Sequence, residues 1–246
     1  METGFRNVYG DRARADAYAS LEFPNTYWLA FRDLPEIVRG CAPGRRALDF
    51  GCGAGRSTRF LRGLGFEVTG VDISDAMLER ARAADAGGDY RLVPDGDLAT
   101  LERGAWDLVL SVFTFDNVPT LERKVALLAD LRERLAPGGR IVSLVSSPDI
   151  YVNEWASFST KDFPANFTAK DGDDVYTVML DVEDRRPVHD VLCSDACYRD
   201  AYRRAGLAVL DVFRPLGRDD EPFAWVSETR VAPWVIYVLE PAAAGG

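Results

Sequence analysis

From residue 45 onwards, short apolar runs alternate along the chain with segments of helical periodicity. Strands that alternate with helices favour a parallel sheet, because each crossover helix returns the chain to the edge where the previous strand began. The sequence therefore predicts an α/β fold with helices packed on a mostly parallel sheet. The predicted strands are RRALDF (45–50), EVTGVD (67–72), DYRLV (89–93), WDLVLSVFTF (106–115) and RIVSLVS (140–146).

Capping residues mark the ends of the helices between these runs. Leucine and valine recur at helical spacing over 121–135, after Thr120 as an N-cap and before the Pro-Gly-Gly sequence at 137–139. This pattern predicts a helix with defined ends. Ser74 predicts the N-cap of a second helix, and Gly65 predicts the end of a third.

The regions outside this alternation differ in character. Residues 1–44 contain two short helical patterns and predict a helical lid, whereas residues 147–193 are rich in aromatic side chains and predict an inserted substrate cap. Residues 194–246 predict a helix and the last two strands. We expect one domain over the whole of 1–246, with residues 45–146 as its core, because a single α/β domain of this length is ordinary.

Charge and hydropathy restrict the partners of the chain. The formal net charge is −10, and nucleic-acid affinity depends on neutralising phosphates, so we expect no nucleic-acid partner. No apolar run reaches the roughly eighteen residues of a membrane helix, and the first sixteen residues carry charges where a signal peptide is apolar. We therefore expect a cytoplasmic protein without a membrane partner. Basic residues are mostly arginine, which favours a bacterial source, and the oligomeric state stays open.

Metal ligands are scarce in the sequence. His189 is the only histidine, and the four cysteines lack the paired CxxC spacing of a zinc ribbon, so we expect no metal site. Cys193 and Cys197 lie four residues apart in the predicted C-terminal helix. We expect them to be small buried residues and not part of a disulfide framework.

The most informative segment is ALDFGCGAG, residues 47–55, which joins a predicted strand to a helix through Gly51, Gly53 and Gly55. Glycine lets the backbone approach a ligand where a side chain would collide. In an open parallel sheet, ligands bind beyond the carboxyl ends of the strands, where this loop lies. Asp72 ends the next predicted strand, a position suited to accepting hydrogen bonds from two ribose hydroxyls.

A dinucleotide-binding site is the alternative interpretation of this segment. Glycines followed by an acid about twenty residues later are also typical of nicotinamide cofactor sites. That pattern requires glycine or alanine at position 56, and this chain has Arg56 there. The spacing therefore disfavours a nicotinamide oxidoreductase.

Together with GVDIS at residues 70–74, the glycine segment resembles the class I S-adenosylmethionine (SAM) dependent methyltransferases, and the resemblance extends over residues 47–146. It implies a Rossmann-like three-layer αβα sandwich whose seven-stranded, mostly parallel sheet ends in a reversed hairpin, and it implies SAM as the cofactor. The cofactor-binding residues that it implies are Tyr18, Tyr27, Asp49, Gly51, Gly53, Gly55, Asp72, Ile73, Asp97, Leu98, Ser111 and Phe113.

The resemblance also implies which part of the cofactor several of these residues contact. The glycines would line the methionine part, Asp72 would hold the ribose and Ile73 would pack on the adenine. Asp97 would lie at the adenine amino group, with Asp95 as an alternative two residues away. Aromatic residues ahead of the glycine loop often touch the cofactor in this family, which is why the two tyrosines are included.

The molecule that accepts the methyl group can be restricted mainly because motifs typical of particular methyltransferase subclasses are missing. The end of the fourth predicted strand reads SVFTFDNVP, not the Asn/Asp-Pro-Pro-aromatic motif of amino-methylating DNA enzymes. With the acidic charge, this favours methyl transfer to an oxygen or nitrogen of a small metabolite. The alternative is a SAM-binding protein of the same fold that does not methylate, but catalyses a cyclisation or elimination or has a regulatory role.

Four residues are candidates for catalysis or for binding the methyl acceptor. His189, the only imidazole, is the candidate general base, and the alternative is a surface residue in the charged run 184–190. Asp116 follows the fourth strand, near the expected methyl position, and the alternative is a loop cap. Tyr151 and Trp155 suit an apolar or planar acceptor, and the alternative is a local core.

Overall fold

The computed structural model describes residues 21–22 and 24–243. In this part of the chain, no helix is both long and apolar enough to cross a membrane. The helices are α1 (Thr26–Arg32), α2 (Leu34–Cys41), α3 (Arg56–Gly63), α4 (Asp75–Ala84), α5 (Leu121–Arg134) and α6 (Asp195–Arg204). The strands are β1 (Arg46–Phe50), β2 (Glu67–Asp72), β3 (Asp89–Leu92), β4 (Trp106–Val112), β5 (Leu135–Ser146), β6 (Phe158–Ser159), β7 (Asp174–Met179), β8 (Val188–Val191), β9 (Leu207–Phe213) and β10 (Trp234–Pro241).

Seven of these strands form one twisted sheet in the order β3-β2-β1-β4-β5-β10-β9. Strands β1 to β5 are parallel, whereas β10 lies between β5 and β9 and is antiparallel to both. The predicted seven-stranded, mostly parallel sheet is confirmed. Strands β6, β7 and β8 form a second, antiparallel sheet within residues 147–193, which we call the small sheet.

Both faces of the main sheet are covered, which explains why its central strands are apolar at successive positions. In β4, Leu108 and Leu110 point into a core with α1, α2, α3 and the small sheet. Val109 points to the opposite face, where it packs with α5 and α6. The arrangement is a three-layer αβα sandwich, with the small sheet added to one side.

The sequence signals for the helix ends correspond to observed caps. The hydroxyl oxygen of Thr120 accepts a hydrogen bond from the backbone N–H of Arg123 (3.1 Å), and that of Ser74 accepts one from Met77 (3.4 Å). Strand β4 ends three residues earlier than predicted, because Phe113 has a φ of +59° and turns the chain out of the sheet.

One expectation about the cysteines was wrong. The Sγ atoms of Cys193 and Cys197 are bonded, and their Cα atoms are 5.4 Å apart. Helix α6 begins only after its N-cap, Ser194, so Cys193 lies outside the helix and the chain folds back toward the first turn. A Cα separation of this size is within the usual range for a disulfide.

A buried carboxylate joins the N-terminal helix to two later segments. Glu228, in the loop before β10, is fully buried. Its Oε1 accepts hydrogen bonds from the Thr26 hydroxyl (2.6 Å) and the Ala156 N–H (2.8 Å). Its Oε2 accepts from the N–H groups of Val226 (2.8 Å) and Ser227 (3.1 Å). One side chain therefore fixes α1 against the segment that leads into the small sheet.

Replacing this carboxylate should be costly. We expect Glu228→Ala to lower the free energy of unfolding by about 3 kcal/mol or more, because four donors lose their acceptor and the two that are buried, the Thr26 hydroxyl and the Ser227 N–H, each cost about 1–3 kcal/mol when unpaired. Chemical denaturation measures the loss. Glu102→Ala is the control, since Glu102 is exposed and its ion pair with Arg46 should contribute less than about 1 kcal/mol. Equal losses in the two variants would contradict the anchoring role.

Candidate active site

The loop between β1 and α3 requires glycine for two separate reasons. Gly51, Gly53 and Gly55 have φ values of +75°, +52° and +80°, which side chains rarely allow. In addition, a Cβ at Gly51 would overlap the side chain of Thr114, and one at Gly55 would lie 2.6 Å from the hydroxyl of Tyr90. At the first and third positions, packing within the protein itself thus excludes a side chain.

The middle glycine is the least crowded of the three and is held by Asp72. A Cβ at Gly53 would have its nearest neighbour, a Met77 methyl, at 3.2 Å. The Gly53 N–H donates to Oδ2 of Asp72 (2.8 Å), whose Oδ1 accepts from the N–H of Ser74 (2.8 Å). Burial raises the pKa of Asp72, and these hydrogen bonds oppose the rise. A carboxylate oxygen can accept more than one hydrogen bond, so both oxygens of Asp72 can also accept hydrogen bonds from ligand hydroxyls.

Asp49, beneath the loop at the end of β1, is fully buried. Its Oδ2 accepts hydrogen bonds from the hydroxyls of Ser57 (2.7 Å) and Thr58 (2.6 Å) in the first turn of α3. Among the described residues, its Oδ1 has no hydrogen-bond partner, and the same is true of the buried Ser111 hydroxyl on β4. Burial raises the pKa of Asp49 to about 6, although the two hydroxyls oppose the rise.

The remaining predicted cofactor residues have varied positions. Asp97 is exposed, and its Oδ1 accepts the N–H of Ala99 (2.8 Å). Leu98 is fully buried in the core, and Ile73 is half-buried directly after β2. Tyr18 lies outside the described residues.

A pocket of about 440 Å³, including its open mouth, lies between the main sheet and the small sheet. Its walls are largely aromatic. The ring of Phe113 lies 4.6 Å from that of Trp234, and the ring of Tyr27 lies 5.2 Å from that of Phe158 (centroid distances). The lining residues are Tyr27, Phe113, Asp116, Asn117, Ser146, Ile150, Tyr151, Phe158, Thr177, Met179, Val188, Asp190 and Trp234.

The pocket and the glycine loop share one segment of chain, residues 113–117. Phe113 and Asp116 line the pocket. Between them, the Thr114 hydroxyl donates to the carbonyl oxygen of Phe50 (3.0 Å), and the same side chain packs against Gly51. The two sites are therefore neighbours at the carboxyl edge of the sheet.

Two buried acids form the polar part of the lining. Oδ1 of Asp190 accepts a hydrogen bond from the Asn117 amide (3.0 Å), and Oδ2 accepts one from the Tyr151 hydroxyl (3.2 Å). Asp116 accepts the N–H of Ser146 (3.0 Å) and the hydroxyl of Tyr198 (2.9 Å).

Burial shifts the pKa values of both a carboxyl and a phenol in this region. It raises the pKa of Asp116, against the effect of the hydrogen bonds it accepts, and it raises that of Tyr151, with Asp190 adding to the rise.

His189, the predicted base, is not brought to the pocket. Successive residues of a strand point to opposite faces, and in β8 Val188 and Asp190 line the pocket. His189 faces away, with its Nε2 2.7 Å from Oδ1 of Asp174 and its ring over Tyr176. Its side chain is 36% exposed. The surface interpretation describes this position better than the catalytic one.

Trp155 also does not line the pocket. It is buried in the core, and its indole N–H donates to the carbonyl of Ile150 (2.9 Å). Tyr151 and Asp116, by contrast, both line the pocket. The sequence interpretation missed Asp190, although a strand prediction over 188–191 would have placed it on the face opposite His189.

Comparison with known proteins gives matches of two kinds. Residues 48–141 match the family model described as a methyltransferase domain. The ubiquinone biosynthesis O-methyltransferase of Bordetella avium is 36% identical over 150 residues, which are 54% of this chain and 60% of that protein. The demethylmenaquinone methyltransferase of Tropheryma whipplei is 38% identical over 106 residues, 42% of each protein. This chain thus spans less than two thirds of the length of these relatives.

Solved structures are similar over more of the chain. The CcbJ methyltransferase from Streptomyces caelestis has a TM-score of 0.66 at 20% identity, covering 96% of this chain and 98% of that one. A SAM-dependent methyltransferase from Mesorhizobium loti has a TM-score of 0.59 at 22% identity, covering 85% and 97%. At these identities the likeness shows a common fold.

The buried Asp49 should make stability depend on pH. Its pKa of about 6 in the fold exceeds the value of about 3.9 of an unfolded chain, so the native state binds more protons between these values and loses stability as pH rises through them. Relative to Asp49→Asn, we expect the wild-type free energy of unfolding to fall by about 2–3 kcal/mol between about pH 4 and pH 7. Denaturant titrations across this range measure the difference, and a constant difference would contradict the assignment.

Proposed function

We propose that this protein transfers the methyl group of SAM to an oxygen or nitrogen atom of a small-molecule acceptor, because residues 48–141 match the methyltransferase-domain family model and the glycine loop and Asp72 resemble the class I SAM-dependent methyltransferases. The bound cofactor supplies an electrophilic methyl group on a positively charged sulfur. The names of the curated relatives refer to ubiquinone biosynthesis and to demethylmenaquinone, which supports a small organic acceptor.

The residues at the carboxyl edge of the sheet fit this cofactor. The backbone at Gly53 is the least crowded of the three glycine positions, and Asp72 beside it has acceptor capacity for the ribose hydroxyls. The buried Oδ1 of Asp49 and the buried hydroxyl of Ser111 have no partners among the described residues, so a ligand with N–H or O–H groups could satisfy them. Such groups occur in the methionine part of SAM.

We assign the pocket between the two sheets to the acceptor. The observation that carries the assignment is the shared segment 113–117, which packs against the glycine loop on one side and lines the pocket on the other. Methyl transfer requires the nucleophile, the methyl carbon and the sulfur to be in line, and holding them together can supply roughly 7–11 kcal/mol. The small sheet forms one wall of the pocket and would limit the access of water.

A direct test of the proposed function has two parts. Titration calorimetry with SAM and with S-adenosylhomocysteine measures cofactor binding, and the release of S-adenosylhomocysteine in the presence of acceptors measures transfer. Binding of both compounds without any release across a broad set of acceptors would favour a SAM-binding protein that does not methylate. Failure to bind either would overturn the proposal.

Asp72→Ala should weaken SAM binding by about 1–3 kcal/mol, because a buried acceptor of the ribose hydroxyls is lost. Since Asp72 also holds the Gly53 N–H, Asp72→Asn is the second variant, as its amide oxygen keeps one acceptor. Asp89→Ala, at the opposite end of the neighbouring strand, is the control. Unchanged calorimetric affinity in Asp72→Ala would refute the ribose contact.

His189→Ala should leave both turnover and SAM affinity close to the wild-type values, because the imidazole faces away from the pocket and pairs with Asp174. Steady-state kinetics with any accepted substrate makes the comparison. A fall in kcat of about a hundredfold with intact SAM affinity, the size expected for a lost general base, would restore His189 to the catalytic role.

A further inference from the structure

The disulfide between Cys193 and Cys197 joins two elements beside the acceptor pocket. Cys193 follows β8 by two residues, and β8 forms part of the pocket wall. Cys197 lies in the first turn of α6, which packs on the opposite face of the main sheet. The other two cysteines, Cys41 and Cys52, are free. The bond therefore ties a strand of the small sheet to a helix of the αβα sandwich.

Helix α6 also supplies a hydrogen-bond donor to a side chain that lines the pocket. Tyr198 follows Cys197 directly and is 2% exposed. Its hydroxyl donates to Oδ1 of Asp116 (2.9 Å), and Asp116 also accepts the backbone N–H of Ser146 (3.0 Å). Asp116 and Ser146 both line the pocket. The orientation of Asp116 thus depends on where the beginning of α6 places Tyr198.

The chain around Cys193 is held on both sides by hydrogen bonds that do not involve the disulfide. The N–H of Leu192 donates to the carbonyl oxygen of Asp173 (2.9 Å). Ser194 donates its N–H (2.6 Å) and its hydroxyl (2.8 Å) to the carboxylate of Asp171. The side chain of Cys193 is itself packed in the core. Cys193 therefore keeps its position when the bond to its partner is broken.

Breaking the bond requires the two sulfur atoms to move apart. Bonded sulfur atoms lie about 2.0 Å apart, whereas non-bonded heavy atoms prefer about 3.5–4.0 Å. Since Cys193 is fixed and Cys197 is only half-buried, the displacement falls on Cys197 and on the turn of α6 that carries it. Tyr198 is the next residue, so its hydrogen bond to Asp116 is weakened.

On the premise of the proposed function, we propose that Cys193 and Cys197 form a redox switch for the acceptor pocket. The oxidised pair holds Tyr198 on Asp116 and keeps the polar end of the pocket in its observed shape. Reduction releases the beginning of α6, and Asp116 loses a buried donor.

The cofactor site lies away from this switch. The glycine loop and Asp72 follow β1 and β2, whereas α6 packs against β9 at the opposite edge of the main sheet. We therefore expect the redox state to change the acceptor pocket and to leave cofactor binding unchanged.

A small dithiol reduces the pair in two exchange steps. One thiolate of the dithiol attacks the sulfur of Cys197, the more exposed of the two, and the sulfur of Cys193 leaves with the electron pair and takes a proton. The second thiolate attacks the mixed disulfide, and Cys197 leaves as a thiolate and is protonated. The dithiol ends as a cyclic disulfide, so two electrons and two protons pass to the protein. Glutathione disulfide reverses the reaction and is itself reduced to two thiols.

Counting thiols tests whether the pair responds to such reagents. The whole protein is treated with glutathione disulfide or with dithiothreitol, then alkylated with iodoacetamide under denaturing conditions and weighed by mass spectrometry. We expect two labelled cysteines in the oxidised protein, Cys41 and Cys52, and four in the reduced protein. Four labels after both treatments would overturn the proposal.

Hydrogen exchange then measures the effect on the pocket, because the amide of Ser146 donates to Asp116. Reduction should speed exchange about tenfold at Ser146 and at the beginning of α6, as the loss of one buried hydrogen bond predicts. Exchange in β1 and β2 should stay the same. Equal exchange at Ser146 in the two redox states would overturn the coupling between the disulfide and the pocket.

Two serine variants locate the effect. Cys197→Ser cannot form the bond, so it should show the exchange of the reduced wild type after either treatment. Cys41→Ser is the matched control, because Cys41 is half-buried and free and does not line the pocket, and this variant should respond to dithiothreitol as the wild type does. A response to dithiothreitol in Cys197→Ser would contradict the switch. The two redox states of the wild type decide the question even if Cys197→Ser does not fold.

Binding of S-adenosylhomocysteine separates this inference from the proposed function. Calorimetry should give the same affinity in both redox states. If the compound binds in neither state, the proposed function fails, while hydrogen exchange still decides whether the disulfide controls Asp116. If it binds and exchange at Ser146 does not change on reduction, the switch is overturned while the proposed function stands. Unequal affinities in the two states would overturn the restriction of the switch to the acceptor pocket.

Discussion

The parallel arrangement of β1 to β5 determines where the glycine loop, Asp72 and the segment 113–117 lie. Because crossover helices return the chain to the same edge, all five strands end on one side of the sheet. The glycine loop at 51–55, Asp72, the segment 113–117 and Ser146 therefore meet there. Strand β10 runs the other way, so its first residue, Trp234, pairs with Ser146 and adds an aromatic wall at the same edge. Without this common edge, the loop and the pocket would not share a boundary.

Buried carboxylates occur repeatedly at the carboxyl edge of the main sheet. Glu228 and Asp72 accept backbone N–H groups and fix segments that have no strand partner of their own. Asp49 accepts two hydroxyls, but one of its oxygens has no partner within the described residues. A carboxylate that is fully hydrogen-bonded serves the structure, whereas one with unused capacity is ready for a ligand. By this measure Glu228 serves the structure, whereas Asp49 and Asp72 keep capacity for a ligand.

The sequence predicted local features well because they depend on neighbours in the chain. The caps at Thr120 and Ser74 and the ends of β2 follow from short patterns, and the structure contains them. Positions that depend on distant segments were predicted less well. Trp155 belongs to a core formed by the small sheet and α1, and the bond between Cys193 and Cys197 depends on how the chain enters α6. Neither the packing of Trp155 nor this bond can be predicted from neighbouring residues alone.

By itself, the sequence determined the layered α/β fold, the glycine loop and the acid after the next strand, because hydrophobic period, glycine spacing and capping residues act over a few residues. Only the tertiary structure decided which side of the small sheet faces the main sheet. That choice turned Asp190 into the pocket and His189 to the surface, although they are adjacent in sequence. The physical reason is that successive side chains of a strand point to opposite faces of the sheet. Local sequence sets this alternation, but only packing against another layer decides which face is enclosed.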